Sequence, residues 1–196
     1  IEEMSVIPYA SAIGSIMYAM LCTRPDVNLA VSLVGRYQSN PGKEHWRAVK
    51  NILKYLKRTK EMFLVYGGDG ELDVKGYVDA RFDTDLDDSK SQTGYVDILD
   101  GGAVSWCSCK KSVVAGSTCG AEYMAASEAA QEAIWVEEFI TGLGAIPNAS
   151  GPMTLFCDNT GAIALAKEPR FHRKTRHIKH HFNSIRESVQ NGDIDI

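Results

Sequence analysis

The sequence lacks the features that define several large protein classes. Its five cysteines are unevenly spaced and form no Cys-x-x-Cys pair, which disfavours both a disulfide framework and a cysteine zinc site. Six prolines and 17 glycines occur without a collagen-like or low-complexity pattern. No apolar run is long enough to span a membrane, and residues 1–4 lack the basic flank of a signal peptide. We expect a soluble, intracellular chain that makes no membrane contact and begins within a longer protein.

Length and charge narrow the remaining classes. A chain of 196 residues holds one ordinary domain with a smaller appendage. The net charge of −4 disfavours a simple basic nucleic-acid binder, but the charge is unevenly distributed. Residues 43–60 and 167–186 each contain seven Lys or Arg against one Glu, whereas residues 69–100 contain ten acids against three bases. Two basic segments therefore flank an acidic centre, an arrangement that suits carboxylates between phosphate-binding surfaces.

The spacing of apolar residues changes near residue 68. Before it, three helical stripes separated by breaks at 24–26 and 40–42 predict an all-helical segment, residues 1–68. After it, the pattern predicts strands at 72–79, 93–99, 103–108 and 153–157, with helices at 118–142, 159–167 and 177–190 and a last strand from Asp193. This order predicts an α/β domain over residues 69–196, a mixed sheet flanked by helices. Trp106 and Trp135 fall within apolar patterns and are predicted to lie in the core.

Three carboxylates occupy positions where α/β sheets bind ligands. Asp79 and Asp158 each follow the last apolar residues of a predicted strand. Glu122 lies in the first turn of the long helix, on the apolar stripe that continues through Ala125 and Ala129. Taken singly, the aspartates fit turn or cap roles, and Glu122 fits a helix-dipole role with access to solvent. Together at one sheet edge, the three could hold two Mg²⁺ ions for an in-line phosphoryl displacement.

Short motifs carry a resemblance to a known family over nearly the whole chain. In the helical segment they are Tyr9, Gly14, Met17-Tyr18, Thr23-Arg24-Pro25-Asp26, Pro41, His45 and Ile52-Leu53-Lys54-Tyr55-Leu56-Lys57. In the remainder they are Gly76-Tyr77-Val78-Asp79-Ala80, Ser91-Gln92-Thr93-Gly94-Tyr95, Val104-Ser105-Trp106, Ala121-Glu122-Tyr123-Met124-Ala125, Cys157-Asp158-Asn159 and Thr175-Arg176-His177-Ile178. In order and spacing they resemble the ribonuclease H region, with the end of the reverse transcriptase, of copia-class LTR retrotransposon Pol polyproteins.

The resemblance implies a ribonuclease H fold and Mg²⁺-dependent cleavage of the RNA strand of RNA·DNA hybrids during reverse transcription, with Mn²⁺ as an alternative ion. Asp79, Glu122 and Asp158 match the first three acidic metal ligands of that family. Residues 1–68 would be a thumb or connection-like part of the adjoining reverse transcriptase. The expected location is the retrotransposon particle in the cytoplasm, and the nucleus. The expected contacts to nucleic acid are Ala80, Arg81, Asn159, His172, Arg173, Lys174, Arg176 and His177.

Some positions depart from the family pattern. The fourth acidic ligand of the family lies beyond a final strand that Asp193 begins here, so we expect a domain truncated at its C-terminus and a damaged site. Neither Asp193 nor Asp195 is expected to replace that ligand. Lys111 stands where Gln is usual, and Gly120 where the family has a second acid. The alternative function is therefore a catalytically impaired nucleic-acid-binding or structural module of the polyprotein.

Other interpretations are weaker. Asp83, Asp85 and Asp87 resemble the start of a calcium loop, but the sixth and twelfth positions lack the required Gly and Glu. A zinc site among the histidines of residues 172–181 is disfavoured by the surrounding Lys and Arg, which favour phosphate contact instead. Ser117 and Ser127 lack a convincing His-Asp partner order. An integrase-type nuclease would need a different spacing of acids.

Overall fold

The computed structural model describes residues 4–67, 73–82, 89–144, 151–168 and 184–196. By its internal contacts the chain divides into two compact units, Ile1–Leu64 and Val65–Ile196. The predicted boundary between residues 68 and 69 lies outside the described residues. Within the described ranges, no helix combines the length and apolar character needed to cross a membrane.

The first unit is helical, as predicted. Its helices are α1 (Tyr9–Thr23), α2 (Asn28–Gly35) and α3 (Lys43–Arg58), and a 3₁₀ turn, Pro25–Val27, precedes α2. Proline at the first position of that turn separates α1 from α2 because it supplies no N–H to continue the first helix. One apolar stripe from each helix forms the core, which contains Tyr9, Ile13, Ile16, Met20, Val27, Val31, Val34, Val49 and Ile52.

A polar network around buried Arg24 ties the break after α1 to the end of α3. The Arg24 guanidinium donates to both carboxylate oxygens of Asp26, at 3.0 and 2.7 Å, and to Thr59 Oγ1 at 2.6 Å. The Tyr55 hydroxyl donates to Asp26 Oδ2 at 2.7 Å. Arg24 is only 8% exposed, so its charge depends on these partners. The Thr23–Asp26 motif is therefore a structural clamp of the helical unit.

The second unit contains a five-stranded mixed sheet. Its elements are β1 (Val74–Arg81), β2 (Gln92–Leu99), β3 (Gly102–Lys110), α4 (Thr118–Gly142), β4 (Met153–Cys157), α5 (Thr160–Lys167), α6 (Ser184–Asn191) and β5 (Ile194–Asp195). The strand order is β3-β2-β1-β4-β5. The pairs β1–β2 and β2–β3 are antiparallel, and β1–β4 and β4–β5 are parallel. The predicted ribonuclease H-like mixed sheet with flanking helices is confirmed. Residues 177–183 of the last predicted helix lie outside the described residues.

Helix α4 covers one face of the sheet. The predicted inward stripe is buried throughout, at Glu122, Ala125, Ala129, Ala133, Val136 and Ile140. Alanines let the helix approach β1 closely, where buried and exposed residues alternate. Gly76 of β1 fits the same tight interface, because a Cβ there would lie 2.8 Å from Leu155 Cδ1 and 3.0 Å from Asp97 Oδ1. The sheet and helix thus enclose a core of small and β-branched side chains.

Three details differ from the predictions. Trp106 on β3 is half-buried and lies outside the cluster of core residues. Trp135 is 57% exposed rather than in the core, because it lies on the opposite side of α4 from the buried stripe, where its ring stacks on Phe139 at 5.4 Å. Strand β1 ends at Arg81 rather than at Asp79, because its last residues pair with Thr93 and Gln92 of β2. Residues 83–88, which carry the calcium-loop pattern, lie outside the described residues.

Candidate metal centre

Parallel pairing of β1 with β4 brings two predicted acids to one edge of the sheet. Val78 of β1 is the register partner of Cys157 in β4. Because β4 ends at Cys157, Asp158 follows at the level of Asp79 in the neighbouring strand. Both aspartates are exposed. The register places the two acids side by side, with Asp158 directly after β4 and Asp79 two residues before the end of β1.

The third predicted acid, Glu122, is held in the first turn of α4. Ser117 caps that helix, its Oγ accepting from the Gly120 N–H at 3.1 Å, which offsets the weak helix propensity of glycine. The carboxylate is 4% exposed and accepts a backbone hydrogen bond at Ala80. Within the described part of the chain, Glu122 Oε2 has no hydrogen-bond partner. A buried, half-satisfied carboxylate is costly unless a cation or water completes its shell.

Electrostatics at Glu122 reflect both burial and neighbouring charge. Burial, assisted by the negative charges of Asp79 and Asp158, raises the pKa of this carboxyl to about 7. The hydrogen bond at Ala80 acts in the opposite sense. These three acids therefore feel one another electrostatically, which is the condition under which a divalent cation gains most from binding.

Three ligand atoms converge at the edge of the sheet. One oxygen from Glu122, one from Asp158 and the sulfur of Cys157 all lie within 4.8 Å of one another. Among the described residues, Asp79 is not part of this mutually close set, although its charge reaches Glu122. The orphaned oxygen of Glu122 and the exposed carboxylate of Asp158 suit a hard divalent ion that keeps part of its water shell. The group could therefore hold a metal ion.

Cys157 was not among the residues predicted for the site. The sequence places it directly before Asp158 at the end of a predicted strand, which is the signal that could have included it. Its proximity to Glu122 depends on the β1–β4 register and on the docking of α4. All five cysteines are free thiols.

The predicted contacts to nucleic acid have different environments. Asn159 is the N-cap of α5, its Oδ1 accepting from the Ala162 N–H at 3.0 Å, so the side-chain carbonyl has a structural role. Ala80 is buried, and its backbone hydrogen bond is made with Glu122. Arg81 is exposed at the end of β1. The predicted contacts His172, Arg173, Lys174, Arg176 and His177 lie outside the described residues.

The two C-terminal acids lie away from the three-ligand group. Asp195 of β5 pairs with Lys167 of α5 at 3.2 Å. Asp193 precedes β5, and its carbonyl accepts from the Met153 N–H at 2.9 Å. Among the described residues, neither belongs to the close set of ligand atoms.

A second acidic cluster, which the sequence analysis missed, lies between β2, β3 and α4. We call it the Asp97 cluster, and it comprises Asp97, Tyr95, Ser105 and Glu132. Asp97 has no exposed surface, and within the described ranges neither of its carboxylate oxygens has a hydrogen-bond donor. Ser105 Oγ donates to Glu132 Oε1 at 3.0 Å. Burial, assisted by the charge of Glu132, raises the pKa of Asp97 to about 7.

Comparison with known proteins finds relatives that match most of the chain. It is 45% identical over 194 residues to the retrovirus-related Pol polyprotein from transposon TNT 1-94 of Nicotiana tabacum, and 34% identical over 188 residues to that from transposon RE2 of Arabidopsis thaliana. These matches cover 99% and 96% of the chain but only 14% and 13% of the polyproteins. It is also 44% identical over 133 residues to the secreted RxLR effector protein 161 of Plasmopara viticola, which is 68% of the chain and 94% of that protein. No family model matches. The chain is homologous over most of its length to copia-type retrotransposon Pol polyproteins.

Proposed function

We propose that the Val65–Ile196 unit is the ribonuclease H region of the polyprotein. It would hydrolyse the RNA strand of RNA·DNA hybrids, with Asp79, Glu122 and Asp158 holding divalent metal ions, Mg²⁺ foremost. The observation that carries the proposal is the environment of Glu122. Its carboxylate is 4% exposed, its Oε2 has no hydrogen-bond partner among the described residues, and one of its oxygens lies within 4.8 Å of a ligand oxygen of Asp158. The mixed sheet and the homology to Pol polyproteins support the same conclusion.

Each acid would have a distinct role. Glu122, fixed by α4 and by its hydrogen bond at Ala80, would supply a rigid oxygen from within the core. Asp158 and Asp79 are exposed and would supply oxygens on the side from which the nucleic acid approaches. Divalent ions held there would polarise the scissile phosphate and lower the pKa of the attacking water. Because each acid would supply a ligand oxygen and a negative charge, loss of any one should weaken ion binding sharply.

The helical unit carries exposed lysines on α3. On α3 the exposed residues include Lys50, Lys54 and Lys57, which lie on the side away from the core residues Val49 and Ile52. We propose that this unit is the end of the adjoining reverse transcriptase and that its lysines contact the phosphates of the hybrid. Such contacts would give salt-sensitive binding without sequence specificity.

Cleavage of a labelled RNA·DNA hybrid by the whole chain tests the proposal. With Mg²⁺ we expect cleavage of the RNA strand only, and a fall of roughly 100-fold in rate for Glu122→Gln or Asp158→Asn, equivalent to about 3 kcal/mol of transition-state stabilisation. Glu138→Gln is the matched control, since Glu138 is an exposed carboxylate on the same helix. Mn²⁺ should support the same dependence on these residues.

The same preparation separates the enzyme from the alternative function. Hybrid binding that is independent of metal ions, together with no cleavage by the wild-type chain in Mg²⁺ or Mn²⁺, would identify a binding or structural module. Cleavage that survives both Glu122→Gln and Asp158→Asn would show that the active site lies elsewhere.

A further inference from the structure

The candidate metal centre contains a thiol as well as carboxylates. Cys157 Sγ lies within 4.8 Å of the ligand oxygens of both Glu122 and Asp158. Cys157 is half-buried at the end of β4, whereas Asp158 beside it is exposed, so an ion from solvent can reach the group. The Glu122 carboxylate is more than nine-tenths buried, one of its oxygens belongs to this group, and among the described residues its Oε2 has no hydrogen-bond partner.

The spacing of the three atoms suits a small four-coordinate ion. Bonds of about 2.3 Å to sulfur and about 2.1 Å to oxygen place neighbouring ligands of a tetrahedral Zn²⁺ ion about 3.6 Å apart. The observed upper limit of 4.8 Å requires movements of about 1 Å or less from side chains with free torsions. Asp158 follows the last residue of β4 and is exposed, so it is the ligand with most freedom to close on the ion.

The donor types select among ions. A thiolate is a soft ligand that favours Zn²⁺ and related ions, whereas Mg²⁺ binds oxygen in an octahedral shell that retains several waters. For a given set of nitrogen, oxygen and sulfur ligands, Zn²⁺ also binds more tightly than Mn²⁺, Fe²⁺ or Co²⁺. The sulfur therefore changes which ion the site holds most strongly.

We infer that Cys157, with Glu122 and Asp158, forms a mixed sulfur and oxygen site that captures a thiophilic divalent cation such as Zn²⁺ or Cd²⁺. Occupation by such an ion would exclude the hydrated ions that hybrid cleavage requires, so Zn²⁺ would inhibit the nuclease. The binding part of this inference stands on the geometry alone, and only the inhibition rests on the proposed function.

Titration with Cd²⁺ tests the binding directly. The reduced whole chain is titrated while the ultraviolet sulfur-to-cadmium charge-transfer absorption is recorded. The titration uses a Cys109→Ser background, because the neighbouring thiols of Cys107 and Cys109 interact on β3 and offer a separate sulfur pair. We expect one Cd²⁺ per chain with a charge-transfer band, loss of the band in Cys157→Ser, and at least tenfold weaker binding in Glu122→Gln.

Two cysteine variants serve as controls. Cys119 is half-buried in the first turn of α4 and acts electrostatically on Cys157, yet it is outside the three-ligand group, so Cys119→Ser should keep the band. Cys22 is exposed in the helical unit, and Cys22→Ser should also keep it. A band that is absent from the parent chain, that persists in Cys157→Ser or that disappears equally in Cys119→Ser overturns the inference.

Two further measurements keep the outcomes separable. If circular dichroism shows that Cys157→Ser does not fold, unchanged Cd²⁺ affinity in both Glu122→Gln and Asp158→Asn overturns the inference instead. For inhibition, Zn²⁺ is titrated into the Mg²⁺-dependent cleavage reaction, and Cys157→Ser should raise the half-inhibitory Zn²⁺ concentration at least tenfold. A chain that binds Cd²⁺ as expected but cleaves no hybrid refutes the proposed function and leaves the metal site standing.

Discussion

The buried charge of Asp97 should lower the stability of the sheet unit, Val65–Ile196, by an amount that can be measured. Its side chain is fully buried between β2 and α4, beside Glu132, and within the described residues no donor reaches either oxygen. A neutral amide of the same shape removes the charge without leaving a cavity. We therefore predict that Asp97→Asn stabilises this unit at neutral and alkaline pH.

The size and sign follow from the pKa of Asp97. That pKa is raised from 3.8 to about 7, so the folded state binds an extra proton between these values. The free energy of unfolding therefore falls as pH rises through this window, by at most about 4 kcal/mol at 1.36 kcal/mol per unit. In Asp97→Asn this loss is absent. The advantage of the variant should grow by about 3 kcal/mol between pH 4 and pH 8, or roughly 10 °C in Tm.

Urea unfolding of the whole chain at several pH values provides the assay. A Trp46→Phe background removes the tryptophan of the helical unit, so the emission reports on Trp106 and Trp135 of the sheet unit. Glu132→Gln should reduce the pH dependence, because the Glu132 charge contributes to the raised pKa. Exposed Glu138 provides the control variant Glu138→Gln. A difference between wild type and Asp97→Asn that is constant from pH 4 to pH 8 would refute the reasoning.

Three other outcomes follow from the structure. Glu128→Gln should lower the free energy of unfolding by about 3 kcal/mol in urea melts, because buried Lys111 loses its charged partner, and adding Lys111→Gln should restore most of it. The hydrogen bond from Arg24 is the chief cause that lowers the pKa of Asp26. The helical unit should therefore lose stability as pH falls below about 4, and Asp26→Asn should abolish that loss. Lys50→Glu reverses one exposed charge and should weaken hybrid binding. It should also reduce the slope of log affinity against log salt concentration by about 1. A loss of affinity confined to one hybrid sequence would contradict the proposed phosphate contact.

The sequence predicted the elements and the inward position of Glu122 because both depend on local periodicity. An apolar stripe at helical spacing identifies the face of α4 that packs on the sheet, whatever the rest of the chain does. The prediction for Trp135 was wrong, because it depended on the hydrophobic character of the residue and not on the side of α4 where the residue lies. Side chains of aromatic residues can remain exposed when a helix has already filled its contact face with alanines.

Long-range pairing explains what the sequence did not predict. Alternation in β2 would place Val96 and Ile98 inward, yet Asp97 faces α4, because its register partner Gly76 lies on the covered face of β1. In the same way, the sulfur of Cys157 reaches Glu122 only through the register between β1 and β4. Strand register depends on partners distant in sequence, so single-sequence patterns constrain it weakly.

The parallel pairing of β1 with β4 also has a consequence for the order of events during synthesis. Its two partners are separated in the chain by all of β2, β3 and α4, so the pairing closes a long loop and belongs to the slow, non-local steps of folding. A ribosome completes β1 and α4 well before it completes β4. Asp158 is therefore the last of the three carboxylates to be made, and any chemistry at this end of the strands must wait until synthesis has passed Asp158.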